Sequence, residues 1–576
     1  MQPIGLGCMR LSTEARDDDG AVAMLVAAIE AGVELLDTAD CYAHDDTDLG
    51  HNEQLIARAM AASRRVTVVT KGGLVRPDGA WLPDGRASHL AAAARASRER
   101  LGAIDLYLLH AIDPRVPLAT SVRALARLRE AGIVGAIGLS NVNATQLEAA
   151  LAIAPIEAVE VELSPWRREA LDGGLVAACE RRGIQVLAHR PFGGPAGLER
   201  LARDATVAEL AAHHRATPAE LVLAWLRRLS PMIVPLPGAT RLETAVSAAR
   251  RLELDDAAVA ALTARFCGAT AAFGGGVPAT AIGGGRRDGE VVVIAGMPGA
   301  GKSTHAQALV ARGYLRLNRD ERGGSLAELA RVLDRELAEH PRVVLDNTYP
   351  SRASRTPVIR AARKHGLAVR CLVMTTSLED AQVNAAARML AEHGRLLEPA
   401  EIARDPRALP PSAQFRFRRQ WEPPRLDEGF AAIEELPFER EITGGGEALI
   451  VELDHVVWRG RPRTPVAIEL LPGIREALLA WPVIAGTTWQ PDGPIGALGD
   501  MRERLETLLG RTIPIAACHH PAGPPVCWCR KPLPGLGLVL ARELDLELTR
   551  CTHLGQGPAD RGFAMRLGMR YLERLD

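Results

Sequence analysis

The chain lacks an N-terminal basic-then-apolar segment of the kind that directs export, and it lacks any uninterrupted apolar run long enough to span a bilayer. Those absences predict a cytoplasmic protein with no membrane segment. Charge of one sign is missing too: 69 Lys+Arg stand against 70 Asp+Glu, a formal net charge of −1. Any grip on nucleic acid must therefore come from local basic patches rather than from the overall field. Nine cysteines in 576 residues are unremarkable, and a reducing compartment argues against disulfides. What is present is ordinary globular composition, 24% charged and 47% hydrophobic, at a length that predicts two to four domains.

Two stretches read as linkers. Residues 268–289 hold Gly274-Gly275-Gly276 and Gly283-Gly284-Gly285 among small residues, a flexible tether. Residues 441–446 include Thr443-Gly444-Gly445-Gly446. Three blocks follow, 1–267, 290–440 and 447–576, and all three predict an α/β multidomain protein.

The sharpest motif is Gly296-Met297-Pro298-Gly299-Ala300-Gly301-Lys302-Ser303-Thr304, set between the strand-forming run Val291–Ala295 and a helix-compatible segment to Arg312. This is a phosphate loop in strand–loop–helix context. Glycines let backbone N–H groups close round an anion, and the helix N-terminus adds a favourable dipole. Lys302 is placed for the β- and γ-phosphates of ATP, and Ser303 for Mg²⁺.

In residues 1–267, β-rich runs alternate with amphipathic ones: Val33–Thr38, Val66–Lys71, Ile104–His110, Val134–Ser140, Ala158–Leu163, Ile184–Ala188 and Met232–Leu236. About eight βα units in this length predict a (β/α)₈ TIM barrel, whose chemistry sits at the C-terminal ends of its strands. Asp37, Lys71, His110 and Ser140-Asn141 fall at those ends, and Tyr42 lies just beyond one. The block resembles the aldo-keto reductases through Asp37-Thr38-Ala39 with Tyr42, Thr70-Lys71, Leu109-His110 and Gly138-Leu139-Ser140-Asn141. The resemblance implies Tyr42 as proton donor to a carbonyl accepting hydride. Lys71, held by Asp37, eases proton loss, His110 orients the carbonyl, and Ser140 and Asn141 hold the nicotinamide. Glu160 stands where many members have a nicotinamide-binding Gln, and His189 where many have a stacking aromatic. Pro237–Arg241 resembles the family's phosphate-binding loop, with Arg241 hinting at NADP(H).

After the phosphate loop, Asn318-Arg319-Asp320, Asp346-Asn347-Thr348 and a helical segment with Asn384 and Arg388 complete a P-loop domain with a parallel sheet. These motifs, with Phe417–Pro424 and the run through Glu428-Gly429-Phe430 to Phe438, resemble the kinase domain of polynucleotide kinase-phosphatases. The resemblance implies Asp320 as general base at the end of a strand, with Asp346, Asn347 and Arg319 placing the acceptor end or metal. It makes Arg388 a lid arginine over the transferring phosphoryl group. Arg316, Arg319, Arg322, Arg352 and Arg355 offer a path for strand phosphates, or a solvated surface.

The last block resembles haloacid-dehalogenase-type (HAD-like, Rossmannoid) phosphatases of the histidinol-phosphate and heptose-bisphosphate group, through Glu452-Leu453-Asp454, Thr487-Thr488, Cys518-His519-His520 and Cys527-Trp528-Cys529-Arg530-Lys531-Pro532. Three thiolates and an imidazole at Cys518, His520, Cys527 and Cys529 suit a closed structural Zn²⁺ site. The chemistry is damaged: the nucleophilic Asp is Glu452, and the expected Mg²⁺-ligand Asp is Gln556. Asp454, Thr488, Lys531 and Asp560 survive.

The resemblances together imply an end-healing enzyme acting on a nucleic acid with a 5′-hydroxyl end, fused to a reductase for a small carbonyl. One alternative is a metabolic fusion with a sugar or nucleoside kinase; another is a partly non-enzymatic scaffold. RNA against DNA, the reductase substrate and the oligomeric state are not written in these motifs.

Overall fold

The computed structural model describes residues 3–14, 17–267, 288–405, 408–438, 440, 444–462, 464–491, 497–521 and 527–573. Most of 268–289 and residues 441–443 of the shorter linker lie outside the described residues. Two compact units form, 1–281 with 352–360 and 282–351 with 361–576.

In the first unit, eight strands pair in parallel in chain order: β1 (Gly5–Gly7), β2 (Leu35–Asp37), β3 (Thr67–Gly72), β4 (Leu106–Leu109), β5 (Ala136–Ser140), β6 (Ala158–Glu162), β7 (Gln185–His189) and β8 (Ile233–Leu236). A bridge between Gly7 and Gly238 joins the two ends, so the sheet closes as the barrel expected from alternating βα units. Leu35, Val69, Leu106, Leu108, Leu187 and Val234 pack inside it, while the outer faces of the strands meet the helices. β1 is the strand the sequence pattern did not announce. It has three residues, two of them glycine, and a Cβ on Gly5 would lie 2.5 Å from Leu236 Cδ2, so close strand packing demands a residue without a side chain.

The second unit holds two five-stranded sheets, each wholly parallel. In the first, β9 (Glu290–Ala295), β10 (Leu315–Leu317), β11 (Arg342–Asp346), β12 (Ala368–Met374) and β13 (Ala432–Leu436) run in the order β10-β11-β9-β12-β13. Val291 to Ala295 are buried on both faces, which is why they read as a continuous apolar run. In the second, β14 (Leu449–Glu452), β15 (Ile484–Trp489), β16 (Ile515–Cys518), β17 (Thr552–Leu554) and β18 (Arg570–Leu572) run β16-β15-β14-β17-β18. In both sheets the earliest strand is central, so its carboxyl end faces the switch point where such folds hold ligands. No described helix is long and apolar enough to cross a membrane.

Candidate functional site

At the carboxyl end of the barrel strands, Lys71 is the hub. Its ammonium donates to Asp37 Oδ1 at 2.5 Å, to the Thr38 carbonyl at 2.9 Å and to Tyr42 Oη at 3.2 Å, and lies 3.1 Å from Glu160 Oε2. β2 supplies Asp37, β3 Lys71 and β6 Glu160, while Tyr42 follows β2 and His110 follows β4. All five side chains are buried. Burial alone would lower Lys71, but Asp37 and Glu160 outweigh it and hold the ammonium well above its ordinary value. Burial, then Asp37, pushes the Glu160 carboxyl well above the carboxylate range, and Lys71 offsets part of that. Burial raises the Tyr42 phenol well above its ordinary value, and Lys71 offsets part of that.

His110, lowered well below its ordinary value by burial and then by Lys71, is a neutral imidazole. Its Nδ1 lies 3.4 Å from Cys41 Sγ, and its ring meets Tyr42 edge-on at 5.6 Å. Asn141, at φ +57°, donates to the His110 carbonyl and to Ser140 Oγ, both at 3.0 Å. His189 lies 3.4 Å from Asn141 Oδ1 and is pushed down to about 4 by burial, so it too is neutral. Arg241 is exposed at the N-cap of the helix Leu242–Ala248. One residue here escaped the sequence reading. Trp81 stands edge-on to both Tyr42 and His110, at 6.3 and 6.4 Å, under the Arg76 guanidinium at 3.7 Å. Its only signal was a large aromatic in a Gly- and Asp-rich loop.

In the second unit, the phosphate loop links β9 to helix α1 (Lys302–Val310). Gly299 and Gly301 adopt φ of +88° and +87°, and a Cβ on Gly299 would lie 2.4 Å from the Ala381 carbonyl, so glycine is required there. Lys302 folds back to donate to the Gly296 and Met297 carbonyls at 3.1 and 2.8 Å. Buried without a carboxylate in contact, it falls to about 8. Ser303 Oγ donates to Asp346 Oδ2 at 3.0 Å, and Asn318 Nδ2 to the Asp346 carbonyl at 2.7 Å. These groups line a cavity of about 1220 Å³ together with Asp320, Asn347, Thr304, Arg388 and Arg416.

Asp320 is not at a strand end. It lies in the short helix α2 (Arg319–Arg322), and Asn318 is the residue that caps that helix. Its carboxylate is exposed and meets Arg319 at 3.1 Å. Arg319 N donates in turn to Asn347 Oδ1 at 2.9 Å. Two of the arginines offered as a phosphate path are otherwise engaged. Arg316 is clamped by Asp346 at 2.5 Å and Glu321 at 2.6 Å, and Arg355 is fully buried.

At the end of β14, Lys531 Nζ contacts Glu452 Oε2 directly, Asp560 Oδ1 at 2.6 Å and His553 Nε2 at 3.3 Å. Burial lifts Glu452 to about 7 despite Lys531, and lowers His553 to about 4. Asp454 accepts from Thr488 Oγ1, Trp489 N and Trp458 Nε1 at 3.0–3.1 Å, so its oxygens are satisfied. The Gln556 side chain is exposed, and only its backbone N–H reaches Asp560, at 3.0 Å. His553 belongs to this cluster only through the pairing of β14 with β17, which no local motif could reveal.

No disulfide joins any of the nine cysteines, and four donor atoms gather in one place. Those of Cys518, His520, Cys527 and Cys529 lie within 4.8 Å of one another. The separations are 3.6 Å for Cys518 Sγ to His520 Nδ1, 3.9 Å for Cys518 Sγ to Cys527 Sγ and 3.1 Å for His520 Nδ1 to Cys529 Sγ. Tetrahedral Zn²⁺ with bonds of about 2.0–2.3 Å has edges of about 3.5–3.8 Å, so the donor set and its spacing fit the ion. His520 Nε2 meets Glu398 Oε2 at 2.7 Å, the carboxylate partner that fixes the tautomer of a metal-binding histidine.

Residues 3–265 match the model of the aldo/keto reductase family, and residues 291–404 match that of the AAA domain. The chain thus matches an aldo-keto reductase domain in its N-terminal part and a P-loop, kinase-like domain after it. Similar solved structures include a thermostable aldo-keto reductase in complex with the inhibitor epalrestat, 29% identical over 45% of this chain and 93% of that one, TM-score 0.40. Another is an aldo/keto reductase of Klebsiella pneumoniae in complex with NADP and acetate, 26% identical over 46% and 90%, TM-score 0.40. A third is the Bombyx mori aldo-keto reductase in complex with NADP, 24% identical over 45% and 87%, TM-score 0.37.

Proposed function

We propose that the chain is an ATP-dependent 5′-hydroxyl polynucleotide kinase fused to an NADP(H)-dependent carbonyl reductase, with a C-terminal phosphatase-like module of haloacid-dehalogenase type that is catalytically silent. The observation that carries the kinase reading is one cavity lined by the phosphate loop, Lys302, Ser303, an exposed carboxylate at Asp320 and four arginines, Arg319, Arg388, Arg416 and Arg440. Asp320 takes the proton of the attacking hydroxyl. Lys302 and Arg388 spread positive charge over the phosphoryl group in transit, and Ser303 with Asp346 would hold Mg²⁺, which neutralises phosphate charge when bound. The Phe417–Phe438 segment that resembles polynucleotide kinases supplies Phe417, Gln420 and Phe438 to the same cavity, which favours a polymer end over a free nucleoside.

In the barrel, NADPH supplies the hydride when bound. Ser140, Asn141 and Glu160, near the carboxyl ends of β5 and β6, would hold its nicotinamide. Tyr42 gives its phenolic proton to the carbonyl oxygen, and Lys71 stabilises the phenolate left behind. In the third module, Lys531 is held between Glu452 and Asp560, and Glu452 carries its oxygen one methylene beyond the reach of an aspartate, so turnover of phosphate monoesters is not expected.

Labelled-phosphate transfer from ATP to 5′-hydroxyl RNA, 5′-hydroxyl DNA and free nucleosides tests the kinase. Transfer to a polymer is expected to exceed transfer to nucleosides, and Asp320→Ala to reduce it by about 10²–10⁴-fold with the protein still folded. Equal transfer by wild type and variant removes Asp320 from its role. Faster nucleoside phosphorylation replaces the polymer reading with that of a metabolic kinase.

A further inference from the structure

We propose that the thiolate–imidazole loop of the silent module is a brace for the kinase-like domain: zinc bound there holds the arginine-bearing helices against the phosphate loop. The inference rests on the kinase reading, and it assigns that module a positioning role in place of catalysis.

The connection is continuous from metal site to phosphate loop. Helix α3 (Leu378–His393) carries Arg388, and α4 (Pro399–Arg404) and α5 (Pro411–Gln420) follow it. Two of these helices touch the loop directly. Asn384 of α3 donates to the Gly299 carbonyl, and Gln414 of α5 to the Pro298 carbonyl, each at 2.9 Å. Their opposite sides meet the metal loop. Trp528, fully buried, sits between the ligands Cys527 and Cys529 and packs with Ala385, Met389, Leu397 and Ile402. Its indole N–H donates to the Leu409 carbonyl at 2.8 Å, and Leu409 itself lines the phosphate cavity. Glu398, which receives the second nitrogen of His520, caps α4. Packing is close here too, because a Cβ on Gly535 would lie 2.5 Å from the Trp528 carbonyl oxygen.

Two of the four ligands flank the tryptophan, and a third is tied to Glu398. Fixing the ligands therefore fixes both anchor points of the helices. Bound zinc would replace the weak thiol–imidazole contacts of this cluster with four bonds of fixed length. Trp528 and Glu398 are positioning residues, since neither touches the phosphate cavity.

The test uses the full chain with zinc bound and after chelation, read by amide hydrogen exchange and by the ATP dependence of phosphoryl transfer. Zinc removal is expected to speed exchange in α3 and α4 by at least about tenfold while β2–β5 of the barrel are unchanged. The KM for ATP is expected to rise with it. Glu398→Gln, an exposed and conservative change, is expected to weaken zinc about 10–100-fold by competition with a chromophoric chelator, and to speed exchange in α4. Trp528→Ala with zinc still bound is expected to raise the KM for ATP. A chain that binds no zinc, or a zinc-bound chain whose helices exchange at the same rate after chelation, overturns the brace. Faster exchange in a protein that phosphorylates no acceptor upholds the brace while removing the kinase reading.

Discussion

Lys71 in the barrel and Lys531 beside the C-terminal sheet occupy similar electrostatic settings, an ammonium between two acidic side chains, with Lys71 fully buried and Lys531 partly so. Asp37 and Glu160 flank the first, Glu452 and Asp560 the second. The difference lies in the fourth partner. Lys71 also reaches a phenol that burial keeps protonated, whereas Lys531 reaches His553, a neutral ring already donating to the Ile450 carbonyl at 2.9 Å. One cluster holds a transferable proton at its edge, and the other is closed on itself. A charge cluster becomes catalytic through the group it leaves unsatisfied. The phosphate loop adds a third case, since Lys302 contacts only carbonyl oxygens and its ammonium is lowered where that of Lys71 is raised.

The comparison breaks most visibly at the phenol. Tyr42→Phe removes only the transferable proton, so NADPH-dependent carbonyl reduction is expected to fall by about 10²–10⁴-fold with Tm essentially unchanged. A variant with near-normal kcat would make the barrel cluster as inert as the C-terminal one. Next in size is removal of each ammonium. Lys531→Met leaves Glu452 and Asp560 facing each other, and breaking a buried pair in this way costs about 3–5 kcal/mol, read as a lower midpoint for the transition that melts the C-terminal sheet. Carbonyl reduction is expected to survive it. Lys71→Met is expected to lose both stability and reduction, and retention of reduction there would remove Lys71 from the proton-transfer chain.

These clusters differ in how far they could be seen before the fold was known. Lys302, Ser303 and the glycines around them were legible because a phosphate loop is built from contiguous backbone, so its chemistry is written as a string. Asp37, Lys71 and His110 were legible as strand ends, because a barrel places every such end on one face, whereas Tyr42, beyond a strand, was legible only through the resemblance to aldo-keto reductases. Asp320 was legible as a carboxylate near the loop but not as part of a helix, since Asn318, two residues earlier, takes the cap that ends the strand. Parallel pairing at a distance was not legible at all. His553 enters its cluster across β14 and β17, β1 is too short and too glycine-rich to show a period, and Trp528 reads as a spacer between two cysteines until its neighbours are known.

A smaller effect sharpens the contrast between Lys71 and Lys302. An ammonium lowered to about 8 is charged below that pH and loses its proton above it, and ATP binds the charged form. The Kd of ATP is expected to be flat below pH 8 and to weaken by up to about tenfold per unit above it. Lys302→Met is expected to bind weakly at every pH, without that inflection. An inflection that persists in the variant would assign the titration to another group.

The smallest effect concerns Glu452, whose carboxyl rises from 4.5 to about 7 because burial outweighs the attraction of Lys531. A carboxyl raised on folding favours the folded state below its unfolded value and loses that advantage as pH rises to the folded one. The window is therefore pH 4.5 to about 7. Across it the wild type is expected to lose on the order of 1–3 kcal/mol that Glu452→Gln does not lose. Tm of the C-terminal transition, measured for both proteins at several pH values, isolates this group because all others titrate alike in the two. The variant should gain on the wild type as pH rises through the window and stay level above it. A wild type that gains instead would mean that Lys531 dominates and holds Glu452 as an ordinary ion-pair partner. The second cluster would then be a stabilising clamp.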